Sequence, residues 1–188
     1  MVVKPSERVE SLRRLLDRPN IILCAGCYNP LSAKVAEMTG FDLLSLSTFN
    51  VGGNLALAEP LVGLDENLYS IKRVIDTVNL PLLIEAETST SPLHIVQTVK
   101  KFEAVGVAGI ILSDQVYPKR AHHRDREASV ISSEEMERKI RTARKVSDGG
   151  PVVMAVTNTL RSHGFDEAAE RLNRYAEAGA EVLCTYFL

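Results

Sequence analysis

Short apolar runs alternate with longer amphipathic stretches along the chain. The runs Ile21 to Cys24, Leu43 to Ser47, Leu82 to Glu85, Gly109 to Leu112, Val152 to Val156 and Glu181 to Cys184 are nearly continuous in Val, Ile and Leu. Runs of this kind, too short for helices and lacking polar alternation, predict parallel strands buried on both faces. The stretches between them carry helix signals with readable ends. Ser91-Pro92 offers an N-cap with proline in the first turn. Ser132 with Glu135 three residues on predicts a capping box, and Asp65 and Asp166 are candidate N-caps.

One form recurs three times. Glu37 to Leu44, Ala104 to Ile111 and Glu177 to Leu183 each read as a helix tail, a glycine at the stop, two or three residues, and a strand. Gly40, Gly106 and Gly179 take the stop because glycine enters the left-handed region without strain. The echoes lie about 66 and 73 residues apart, two βα units each, which suits a (β/α) barrel. The rival is a doubly wound open sheet, which opens on a glycine-rich phosphate turn. Here that turn reads Ala25-Gly26-Cys27-Tyr28-Asn29-Pro30 and holds one glycine. The expected fold class is α/β, an incomplete (β/α)8 TIM-barrel type with about six of the eight strands present. No low-complexity stretch or Pro/Gly-rich linker divides the chain, so residues 1–188 read as a single partial barrel domain. An open six-stranded sheet would expose apolar edges, so either another chain covers that surface or this is a fragment that folds poorly alone.

Composition narrows the function classes. Twenty-two basic and 24 acidic residues give a net charge of −2, too balanced for a bulk nucleic-acid or membrane-surface binder. No apolar run approaches the ~20 residues of a transmembrane helix. The first residues lack the apolar core of a secretory signal, and Glu7 and Glu10 argue against a transit peptide. Cys24, Cys27 and Cys184 cannot form a disulfide framework and predict a reducing compartment. The expectation is a cytoplasmic protein with neither nucleic acid nor membrane as partner.

In a βα barrel, chemistry sits where strands end. Glu85 and Glu87 are two apart after the third strand, so on extended chain both project to one side, an arrangement that suits a hard cation such as Mg2+. By spacing alone, a rim of solvated acids is the plainer reading. The stretch Ser113 to Arg126 carries four basic side chains, His122, His123, Asp114 and Asp125. Its charge suits a carboxylate or phosphonate, with Asp114 a second-site acid beside Glu85 and Glu87; a solvated loop reads equally well. His122 and His123 diverge on an extended loop, so one at most faces a site. Cys24-x-x-Cys27 is not followed at once by a helix, and no second pair completes a zinc site, so both read as packed strand-end thiols. Phe102, Met136 and Tyr175 fall at helical core spacing and read as packing.

Gly40-Phe41, the Ser47 strand end, Glu85-x-Glu87, Asp114-Gln115, Pro118-Lys119-Arg120-x-x-His123, Ser133 to Met136 and Ala178-Gly179-Ala180 together form a pattern. From about Leu12 to Cys184 the chain resembles the isocitrate lyase and phosphoenolpyruvate mutase superfamily, most of all its methylisocitrate lyase-like and phosphonomutase-like members. The resemblance implies a (β/α)8 barrel, often a tetramer, that binds Mg2+ and makes or breaks a C–C or C–P bond beside a 2-oxo acid carboxylate. It also implies roles: Glu85, Glu87 and Asp114 hold Mg2+ (or Mn2+), Ser47, Thr48 and Asn158 bind substrate, and Lys119, Arg120 and His123 close over it and carry the chemistry. The site departs from the family pattern in several places. Glu85-x-Glu87 stands for D-x-D, Ser113 for an acid, Ala121 for the acid/base cysteine, Val156 for a substrate-clamping arginine, and Phe49 crowds the carboxylate cradle. The expected function is a diverged lyase, decarboxylase or mutase acting with Mg2+ on a small 2-oxo or 2-hydroxy acid, in specialised metabolism, as a homo-oligomer or with a full-length paralogue. The alternative is a catalytically inactive, truncated relative serving as a structural partner.

Overall fold

A computed structural model describes residues 4–86, 91–118, 129–147 and 149–185. Six strands, β1 (Cys24–Gly26), β2 (Leu43–Leu46), β3 (Leu82–Glu85), β4 (Gly109–Ser113), β5 (Val152–Thr157) and β6 (Val182–Thr185), form one sheet in the order β1-β2-β3-β4-β5-β6. The β1·β2, β2·β3 and β5·β6 pairs are parallel. This sequential order is that of a (β/α) barrel and excludes the doubly wound rival, whose strand order reverses at a switch point. The helices are α1 (Pro5–Leu16), α2 (Pro30–Met38), α3 (Thr48–Leu55), α4 (Leu64–Ile75), α5 (Pro92–Val105), α6 (Ser133–Val146), α7 (Leu160–His163) and α8 (Phe165–Glu177).

Three strands run one residue further than the apolar pattern predicts, to Ser113, Thr157 and Thr185, so hydroxyls continue the ladder at their carboxyl ends. The first strand is displaced. It was expected over Ile21 to Cys24 and starts at Cys24, which pairs with Leu43, leaving Ile21 87% exposed. Gly40, Gly106 and Gly179 stop their helices at φ of 88°, 91° and 107°, as the repeated form requires. Asp65 and Asp166 do not cap: the N-caps are Gly63 and Gly164, and the aspartates sit in the first turn, where their charge complements the helix dipole. Ser132 does cap, accepting the Glu135 N–H.

The chain divides into two compact units. The first comprises Met1–Glu85, Lys100–Ile110 and Gly149–Val152. Leu12, Leu44, Leu46, Ile71, Leu82 and Ile84 are buried in it. Its α1 also buries Arg8, whose guanidinium donates to the carbonyls of Ile75, Val78 and Leu80. The cation thereby satisfies the last carbonyl of α4 and two carbonyls of the segment after it, which explains a charge on a buried helix face. The second unit comprises Ala86–Val99, Ile111–Asp148 and Val153–Leu188. Ile95, Leu112, Met136, Ile140 and Tyr175 are buried there. In the same unit Arg174 of α8 pairs with Glu134 and Glu137 of α6, joining the two helices.

Candidate functional site

In the first unit, β2 turns directly into α3 through Ser47. The Ser47 hydroxyl accepts the Asn50 N–H at 3.1 Å and donates to Asn50 Oδ1 at 2.6 Å. Asn50 Nδ2 in turn donates to the Cys27 carbonyl at 2.8 Å, tying the end of β1 to the start of α3. The single Ser47 proton is therefore committed to capping. Thr48 differs: its N–H donates to Glu85 Oε2 at 3.3 Å, while its hydroxyl is buried with no hydrogen-bond partner among the described residues. A buried unpartnered hydroxyl costs about 1–3 kcal/mol, so an oxygen or cation brought to this point is stabilised by meeting it. Glu85 itself, the last residue of β3, is half-buried. Phe49 is 56% exposed.

The second unit builds its strand ends around a charge. Asp114, immediately after β4, is completely buried. Its Oδ2 accepts the Thr157 hydroxyl at 2.6 Å and the Tyr175 phenol at 3.0 Å, with the Arg171 guanidinium 3.6 Å away. Its Oδ1 accepts the Asn158 N–H at 2.9 Å and Asn158 Nδ2 at 3.2 Å. Because Thr157 must give its one proton to this carboxylate, Thr159 is the donor in the 2.9 Å contact between the two hydroxyls. Asn158 Nδ2 also reaches Ser113 Oγ at 2.9 Å, and Lys139 donates to the Ser113 carbonyl at 2.8 Å. A buried carboxylate is tolerated only when paired and hydrogen-bonded, and Asp114 is both. Burial and the adjacent Asp114 hold the Tyr175 phenol well above its ordinary range, so it remains a donor.

The expected site residues thus fall into groups. Thr48 and Glu85 are joined in the first unit, beside the capping Ser47. Asp114 and Asn158 are joined in the second. Glu87, Lys119, Arg120 and His123 lie outside the described residues. For a hard cation such as Mg2+, which takes oxygen ligands, Glu85 and the Thr48 hydroxyl are suitable donors. Both oxygens of Asp114 already have protein partners. Among the described residues no group of three or more His, Cys, Asp or Glu is arranged to hold a metal. Cys27 is fully buried, and burial pushes its thiol up to about 12, so the neutral form is favoured. Tyr175 is more than the packing residue expected from its spacing, and Arg171 escaped notice. The available signal was their i, i+4 relation on α8, which sets both on one face.

Compared with known proteins, residues 12–188 match the family model described as phosphoenolpyruvate phosphomutase. A probable 2-methylisocitrate lyase 2 of Corynebacterium glutamicum is 35% identical over 186 residues, covering 97% of this chain and 60% of that protein. The crystal structure of a 2,3-dimethylmalate lyase, described as a PEP mutase/isocitrate lyase superfamily member, is similar with a TM-score of 0.87 at 26% identity, over 100% of this chain and 64% of that one. A phosphonopyruvate hydrolase solved with oxalate and Mg2+ is similar with a TM-score of 0.85 at 27% identity, over 95% of this chain and 62% of that one. The chain spans about 60% of the length of the curated relatives it matches.

Proposed function

Since the chain belongs to the phosphoenolpyruvate phosphomutase family, we propose that it is a diverged member taking a small 2-oxo or 2-hydroxy acid at its strand ends together with Mg2+ or Mn2+. The observation that carries this reading is the Thr48 hydroxyl, buried without a partner among the described residues, two residues beyond β2 and next to the N–H that donates to Glu85. Glu85 and Glu87 would hold the cation, which when bound stabilises negative charge on substrate oxygens. Thr48 contributes a hydroxyl toward the same oxygens, while Lys119, Arg120 and His123 close over the anion. Asp114 acts as a positioning residue in this scheme, holding Asn158 and the end of β5.

Ala121 and Val156, which stand for the cysteine and the arginine in the resemblance, direct the choice of reaction. A general acid is worth roughly 10²–10⁴ in rate, so a decarboxylase, hydrolase or mutase-type step suits the chain better than cleavage of a hydroxy-tricarboxylate. Calorimetric titration with oxalate and with pyruvate tests the reading. Saturable binding that requires Mg2+ or Mn2+ and weakens in Thr48→Val supports it; no heat of binding with either acid, with or without metal, overturns it.

A second reading, an inactive relative that serves as a structural partner, is favoured by one surface of the first unit. There α2 turns Ala33 and Ala36 inward and leaves Leu31, Val35 and Met38 exposed, an apolar face of the kind that proteins cover. Sedimentation of the chain alone separates the two: a stable monomer argues against the partner reading, and self-association or capture of a longer family member supports it.

A further inference from the structure

Asn158 follows β5 directly and is half-exposed. Both hydrogens of its side-chain amide are committed, to Ser113 Oγ at 2.9 Å and to Asp114 Oδ1 at 3.2 Å. Turning the amide over would set its carbonyl oxygen against a carboxylate oxygen, acceptor against acceptor beside a buried charge. Asp114 therefore decides which end of the amide faces inward. The Asn158 backbone N–H is committed as well, to Asp114 Oδ1 at 2.9 Å. What is left is the carbonyl oxygen. No described residue donates to it, and Asn158 is partly exposed. At this strand end Asn158 offers an acceptor and no donor.

We infer that Asn158 is a specificity-determining residue whose side-chain carbonyl oxygen receives a hydrogen-bond donor on the ligand, a hydroxyl or a protonated amine, and disfavours a ketone or carboxylate oxygen in the same place. The inference rests on the reading above, that a small acid binds at the strand ends. It reverses the polarity that a carboxylate-binding asparagine would need, because such a role uses the amide nitrogen. An acceptor facing an acceptor leaves both desolvated and unpaired, and this is how a polar site rejects a near-isostere.

The test titrates the full chain, with Mg2+ present, with D- and L-lactate, pyruvate and D- and L-alanine. At least one donor-bearing acid is expected to bind about fivefold or more tighter than pyruvate, and Asn158→Ala is expected to narrow that ratio to within about twofold. Tighter lactate identifies the hydroxyl as the partner, and tighter alanine the amine. The inference is overturned if pyruvate binds as tightly as every donor-bearing acid, or if the preference survives in the variant. Should Asn158→Ala fail to fold, Asn158→Ser, which keeps the backbone bond to Asp114, takes its place; should both fail, the wild-type ratio decides. Failure of all the acids to bind instead removes the parent reading, an outcome distinct from equal binding.

Discussion

The strand ends of the two units solve the same problem with opposite chemistry. In the first, Ser47, Asn50 and the Cys27 carbonyl make a neutral, local arrangement in which a side chain caps a helix three residues away. The carboxylate there, Glu85, is half-buried and receives an N–H from Thr48, beside an unpartnered hydroxyl. In the second, Asp114 is buried and draws donors from β5, the segment after it and α8. The difference teaches that a carboxylate at a strand end can be held inside the protein by donors from several elements. On the function proposed above, Asp114 serves the architecture and Glu85 meets the cation.

That contrast can be attacked at several points. The largest effect is expected for Asp114→Ala, which leaves the buried Arg171 with Glu167 as its remaining carboxylate and frees the Thr157, Asn158 and Tyr175 donors. Breaking a buried pair of this kind costs about 3–5 kcal/mol, read as a lower urea midpoint. Tyr175→Phe removes one donor from the same carboxylate and is expected to cost roughly 1.5–3 kcal/mol, the range for a hydrogen bond to a charged group. In the first unit, Ser47→Ala removes a cap and is expected to cost only about 1 kcal/mol. A Ser47→Ala penalty as large as that of Asp114→Ala would erase the distinction between the two regions.

The smallest effect concerns the second unit's surface and acts as a control on its charge. Hydrogen bonds from Arg174 hold the Glu134 carboxyl at about 2. Its folded value lies below the ordinary ~4.3, so its contribution is present above that pH and is lost as pH falls toward 2. Glu134 is solvent-exposed, so the contribution is small and screened by salt. Glu134→Gln is expected to flatten the acid limb of the stability profile slightly between those values, and less at high salt. A change at neutral pH comparable with that of Tyr175→Phe would mean that α6 and α8 depend on this pair rather than on their core.

Much of the fold was legible because backbone rules are local. Gly40, Gly106 and Gly179 announce helix stops through a positive φ that other residues adopt only with strain, and their spacing carries the βα repeat. The apolar runs located five of the six strands to within a residue at each end. The first strand shifted because a short edge strand is set by its partner, and Ile21 and Leu23 are apolar without being paired or buried. Within the site, spacing and charge picked out Glu85 and Asp114 as strand-end acids, and the family resemblance added Ser47, Thr48 and Asn158. Spacing and charge could not assign their roles, which depend on which protons are already committed. Ser47 and Thr48 are adjacent hydroxyls, yet one caps α3 and the other has no partner among the described residues. Tyr175 lies 61 positions from Asp114, and no local pattern couples a helix residue to a strand end at that distance.

The most direct measurement is a crossed one: thermal denaturation of wild type, Glu85→Gln and Asp114→Asn, each with and without Mg2+ and oxalate. Glu85→Gln is expected to keep the melting temperature of the unliganded wild type and to lose the rise that metal and oxalate produce. Asp114→Asn is expected to melt several degrees lower in every condition while keeping that rise. The opposite pattern, a ligand-induced rise that survives Glu85→Gln and disappears in Asp114→Asn, would contradict the division between an architectural and a receiving carboxylate.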